Sequence, residues 1–148
     1  MESFLNNPTF VVYAVACIVL SFNLLAVWTY SGVARGKTKT AINPEDAATF
    51  GSGLNPVDPP EVARVLRAHA NANALIVPFL FLGLVYVLAG GTPRFAKIDF
   101  AVFVVGRLGH SIAYLGGKQP WRTIFFTLSG LGFGVLIVQV SLLVIRGH

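Results

Sequence analysis

The chain has 148 residues, of which 55% are hydrophobic and only 11% charged, and its mean hydropathy is +0.71. This length suggests one domain, residues 1–148, while the composition excludes an ordinary soluble globular domain and points to the membrane class. The net charge of +5, from 11 basic and 6 acidic residues, does not indicate a nucleic-acid partner, because the basic residues lie beside the ends of the apolar runs.

Residues 9–34, 68–93 and 123–145 contain no Asp, Glu, Lys or Arg. A bilayer core about 30 Å thick needs about 20 such residues per helix. The first span is predicted over 8–33, with Asn7 as N-cap and Pro8 as first helical residue. No basic stretch precedes it, and it is too long for the core of a cleavable signal peptide. Cys17, the only cysteine, lies inside it, which excludes an intrachain disulfide and reads as a small buried apolar residue. Residues 35–58 form one long connection rich in Gly and Pro. Within it, NPEDAATF (43–50) predicts a short helix, with Asn43 capping, Pro44 first, and Glu45 and Asp46 at the positive end of its dipole.

The second span is predicted over 59–89, with Asp58 as N-cap and Glu61 at the capping-box position. At 1.5 Å per residue it is about 46 Å long, so its first turns stand in the headgroup zone. Pro78 is expected to kink it. Gly90-Gly91-Thr92-Pro93 makes a tight turn. The third span, 95–115, carries Lys97, Asp99, Arg107 and His110 and stops at Gly116-Gly117. Pro120 opens the fourth span, 120–145. These long, non-alternating runs predict an all-α bundle of four transmembrane helices rather than a barrel. Short connections predict that spans two, three and four are antiparallel neighbours. Arg35, Lys37, Lys39, Lys118 and Arg122 outweigh Arg94, Lys97 and Arg146, which places both termini on the non-cytoplasmic side.

The polar residues within the spans require an explanation. Arg64, Arg67 and Asn71 share one face of the second span, and Arg107, His110 and Tyr114 share one face of the third. With Arg35 and Arg122, they are expected in the same cytoplasmic half of the bundle. A charge in a span costs about 2.5 to 3.5 kcal/mol on insertion scales. Arginines that converge with few acids nearby repel one another, so an anionic ligand is expected to complete the site. The start of the fourth span, at Arg122 and Thr123, already favours an anion. Taken singly, each arginine also reads as an interface anchor, Tyr114 as a belt aromatic, and Asn71 and Asn73 as interhelical glue. No metal-ligand spacing, Ser/His/Asp arrangement or phosphate loop is present.

The motifs NPEDA (43–47), DPPEVARVLRAHAN (58–71), PFLFLGLVY (78–86), FVVGRLGHSIAYLG (103–116) and PWRT (120–123) together resemble the membrane-associated proteins in eicosanoid and glutathione metabolism, over about residues 10–146. The resemblance implies a four-helix subunit that assembles as a homotrimer and binds glutathione between neighbouring subunits near the cytoplasmic face. It implies glutathione contacts from Arg35, Arg67, Asn71, Arg107, His110, Tyr114 and Arg122. It also implies catalytic roles for Arg122, Thr123 and Asp46, with Arg122 stabilising the thiolate. The implied activity is glutathione-dependent transfer to lipophilic electrophiles, or reduction of lipid hydroperoxides, with the apolar substrate arriving from the membrane lipids. The alternative is a non-catalytic lipid-binding or accessory subunit of a membrane complex. One departure is clear: Ala74 stands where the family usually carries a glutamate.

Overall fold

A computed structural model describes residues 4–146. After a single 3₁₀ turn at Phe4–Asn6, the elements in chain order are α1 (Pro8–Thr38), β1 (Thr40–Ala41), α2 (Pro44–Phe50), β2 (Gly53–Leu54), α3 (Pro60–Leu88), α4 (Pro93–Leu115) and α5 (Trp121–Arg146). The helices α1, α3, α4 and α5 are each long and apolar enough to cross a membrane. Large apolar side chains such as Phe22, Trp28, Phe81, Ile98, Ile112 and Leu131 point outward, as a lipid-facing surface requires.

Local chemistry sets the helix ends. The Asn7 carboxamide oxygen accepts from the Thr9 and Phe10 amides at 2.9 and 3.3 Å, which caps α1. At the end of α4, Gly117 takes a left-handed φ of 65°. The Lys118 amide reaches back to the Ala113 carbonyl at 2.9 Å and the Gly117 amide to Tyr114 at 3.1 Å. That pair of bonds closes the helix and turns the chain sharply into α5.

Several boundaries differ from the sequence reading. α1 continues past Val33 to Thr38, so Arg35 lies within its last turn. α3 starts at Pro60, its N-cap position is Pro59, and no side chain caps it. Asp58 is not that cap, because its carboxylate is drawn to Arg35, 3.1 Å away. Asn43 occupies the N-cap position of α2 without capping it; its amide donates to Asp46 Oδ2 at 3.0 Å instead. The connection between α1 and α3 is also more ordered than a loop. β1 and β2 pair in parallel, Thr40 with Gly53 and Ala41 with Leu54, and so flank α2. Helix α3 runs through Pro78 unbroken. Cys17 is half-buried rather than buried, since it opens onto a shallow outer groove with Ile18, Phe22 and Leu25.

The four long helices alternate in direction. Thr9 Oγ1 donates to the Gly91 carbonyl at 2.9 Å, which sets the start of α1 beside the α3–α4 turn. The Arg35–Asp58 pair sets the end of α1 beside the start of α3. The end that carries Arg35, Asp58 and Gly117 is called the loop end below. α3 and α4 are less close neighbours than their short connection predicts. Each packs more on α1 than on the other, and α4 packs most on α5. The resulting core contains Leu20, Ile76, Phe79, Phe100, Phe103 and Leu136. Phe79 and Phe103 stack with ring centroids 3.7 Å apart. A second cluster of Val27, Ala34, Val62, Val65 and Ala68 closes the loop end, with Tyr114 and Leu115 against it. Between α4 and α5, Gly106 allows close approach: a Cβ there would lie 2.7 Å from the Ser129 amide nitrogen.

Candidate functional site

Arg107, His110, Ser111 and Tyr114 recur at helical spacing along α4, so they form one stripe. The stripe faces into the bundle rather than towards lipid. Arg107 is 0% exposed, His110 3% and Ser111 4%. Arg107 Nη2 donates to Asn71 Oδ1 on α3 at 3.1 Å. Its Nε and Nη1 are buried without a hydrogen-bond partner among the described residues. This leaves a guanidinium with unused donors and no carboxylate beside it. Buried donors of this kind are costly unless something accepts from them.

α5 brings the next groups. His110 Nδ1 lies 3.0 Å from the Arg122 carbonyl oxygen, a partner that only an Nδ1–H can satisfy. In the neutral ring, Nε2 is then the acceptor, and it too is buried without a partner. The Arg122 guanidinium lies over the Tyr114 ring, 4.9 Å from its centroid, a cation–π arrangement. The His110 and Tyr114 rings meet edge-on at 5.5 Å. Gln119 completes the group. With its carboxamide oxygen turned to Arg122, it accepts from Nε at 3.2 Å and Nη2 at 2.8 Å, while its nitrogen donates to Thr123 Oγ1 at 3.1 Å. Gln119 is absent from the sequence-predicted set. Its signal is its place just ahead of the fourth span, three residues before Arg122.

The predicted residues thus fall into three groups. Asn71 bonds to Arg107, and one turn further along the same α4 stripe His110, Tyr114 and Arg122 meet, with Thr123 joined to them through Gln119. Arg35 does not join them: it pairs with Asp58 and, with Asp46, lines a separate cavity of about 660 Å³ between the last turn of α1 and α2. The physical cause is the extension of α1 to Thr38, which carries Arg35 outward towards the β1–β2 pair. Arg67 is exposed on α3, one turn from Asn71, without a hydrogen bond among the described residues, and Ala74 is exposed one turn beyond. Among the described residues, no group of three or more His, Cys, Asp or Glu is placed to hold a metal.

Four apolar spans enclosing a polar, arginine-bearing cluster at one end define an integral multi-pass membrane protein. Comparison with known proteins sharpens this class. The family model described as "MAPEG family" matches residues 13–142. The chain is 36% identical to prostaglandin E synthase of Homo sapiens over 137 residues, which span 92% of this chain and 90% of that protein. It is 39% identical to prostaglandin E synthase of Equus caballus over 123 residues, 82% and 80% of the two chains. It is 34% identical to microsomal glutathione S-transferase 1 of Homo sapiens over 138 residues, 90% and 87% of the two chains. The chain belongs to the MAPEG family.

Proposed function

We propose that the protein is a glutathione-dependent membrane enzyme acting on lipophilic electrophiles or lipid hydroperoxides. The observation that carries this reading is the buried Arg107, which offers unused donors beside Asn71 with no carboxylate in reach. Glutathione brings two carboxylates, an ammonium and a thiol. The charge of Arg107 would draw a glutathione carboxylate towards the cluster, and Asn71 would hold the guanidinium in register. His110 Nε2, an acceptor in the neutral ring, suits the ammonium or an amide N–H. The names of the relatives, prostaglandin E synthase and glutathione S-transferase, agree with this class of chemistry.

Arg122 is the thiolate-stabilising group in this reading. Arginine stays protonated at neutral pH, so it is no base. A cation beside sulfur lowers the thiol pKa and raises the reactive fraction. Tyr114 and Gln119 hold the guanidinium in place, and Thr123 Oγ1 stands at the same helix start. The thiolate would attack the electrophilic carbon of an aryl halide, form a C–S bond and expel halide, with the thiol proton released to water. With a hydroperoxide, two glutathiones would become a disulfide as the O–O bond breaks, giving alcohol and water.

The whole chain would act as one domain in a homotrimer. Arg35, Arg67 and Asp46 lie outside the linked cluster in one subunit, and a neighbouring copy is what would bring such residues to a shared ligand. The loop end would face the cytoplasm, with both termini on the other side. Ala74, in place of an acid, favours a second reading as a non-catalytic, lipid-binding or accessory relative. One experiment separates the two. Glutathione is titrated calorimetrically into the detergent-purified protein, and conjugation to an aryl halide is assayed on the same sample. Binding with turnover supports the enzyme; neither in a folded preparation overturns it.

A further inference from the structure

Arg64 shares a helix face with Arg67 and Asn71 but belongs to a different site. It lines a cleft of about 350 Å³ between the last turns of α1 and the first turns of α3. Lys37 and Tyr30 enter the cleft from α1, and Glu61 joins Arg64 from α3. Lys37 Nζ stands over the Tyr30 ring, 5.8 Å from its centroid. Arg64 lies against the backbone of Gly117, where its Nη1 fills the place a Cβ would need. Among the described residues the one ion pair is Arg35–Asp58. Lys37 and Arg64 therefore share a cleft with Glu61 and pair with neither it nor any other acid.

The depth of this cleft is defined by its floor. Ala34 and Val65, both buried, and Leu115, the last residue of α4, line it from three helices. The charge-free run of the first span ends at Ala34 and that of the second begins at Ala68. The floor lies where the apolar spans end; Lys37 stands about one turn above Ala34, and Arg64 is the residue next to Val65 on the loop-end side. That is the headgroup level of a bilayer, where a Tyr ring is also at home.

We propose that this cleft binds the phosphate of an acidic phospholipid, with Lys37 and Arg64 closing on it from two helices and the glycerol end resting on Ala34, Val65 and Leu115. A guanidinium offers parallel N–H donors to two phosphate oxygens, and an ammonium takes a third as a point charge. Basic clefts between membrane helices at headgroup level recognise lipids in this way. Free phosphate has the same head chemistry but makes no use of the apolar floor. The proposal stands apart from the glutathione site and does not rest on it.

The test is lipid retention by the detergent-purified protein, followed by native mass spectrometry. Phosphatidylglycerol, phosphatidylcholine and inorganic phosphate are titrated in separate arms. Phosphatidylglycerol is expected to bind in preference to phosphatidylcholine, and inorganic phosphate is not expected to displace it. Lys37→Gln and Arg64→Gln should each weaken phosphatidylglycerol binding about fivefold, and together about twenty-fivefold. Glu61→Gln should tighten it, a gain that misfolding cannot produce. Equal retention of the two lipids, unchanged affinity in the double variant, or no gain in Glu61→Gln overturns the proposal. Displacement by inorganic phosphate overturns the lipid as the source of the anion.

Discussion

Arg107 donates to Asn71 across 3.1 Å, a polar link between α3 and α4 formed by a fully buried guanidinium and a single carboxamide oxygen. The bond holds the cation but does not neutralise it. Asn71→Ala should lower stability by about 1 to 3 kcal/mol or more, since a charged donor loses its buried acceptor. Replacing both residues with leucine should recover much of that stability, because an uncharged pair leaves nothing unsatisfied. The double variant should not bind glutathione. Thermal unfolding in detergent together with calorimetry checks both halves.

Arg122 is held by Tyr114 and Gln119 rather than by an acid, so its charge remains available. Arg122→Ala should lower kcat for aryl halide conjugation by about two orders of magnitude, the usual loss when a preorganised electrostatic partner of the reacting atom is removed. Glutathione binding should survive in part, because Asn71 and Arg107 remain. Arg122→Lys should restore some of the rate by charge alone. Normal turnover in the alanine variant would remove Arg122 from the mechanism.

Ala74→Glu would return an acid to the exposed face of α3, one turn from Asn71. If that acid meets the glutathione ammonium, affinity should rise about tenfold, in line with a charge-assisted hydrogen bond of about 1.5 kcal/mol. S-methyl glutathione, which keeps the ammonium, should gain equally. A des-amino analogue should gain nothing, and isothermal titration distinguishes the two.

Gly106 faces the Ser129 backbone at a distance no side chain tolerates. Gly106→Val should therefore separate α4 from α5 or unfold the bundle, at a cost of about 1 to 3 kcal/mol or more. Because the α4–α5 contact also places Arg122 on His110, activity should fall with stability. Gly134, with open space where a Cβ would stand, should accept alanine without comparable loss.

The Arg35–Asp58 pair, though the one ion pair among the described residues, should matter little. The Arg35 side chain is 37% exposed, and exposed pairs contribute about 0 to 1 kcal/mol. Asp58→Asn should shift the unfolding midpoint only slightly, and less at high salt.

The sequence by itself determined the class and number of long helices. Three charge-free runs of span length, and a fourth apolar stretch over 95–115 that carries Lys97, Asp99 and Arg107, leave a chain in lipid little choice, because every backbone amide must be satisfied within its own helix. Helical spacing likewise put Arg107, His110 and Tyr114 on one face, and that stripe is what the fold buries. Tertiary structure decided which polar groups meet. Spacing along one helix says nothing about the neighbour, so it does not pair Arg107 with Asn71 or His110 with the Arg122 carbonyl. It also does not turn Asp58 away from α3 towards Arg35, a choice made by a cation on another helix. The same limit explains why Arg64 and Arg67, one turn apart on one helix, serve different places. Sequence puts them on one face and both stay exposed, but the packing of α1 against α3 sets Arg64 beside Lys37 in one cleft, which Arg67 does not line.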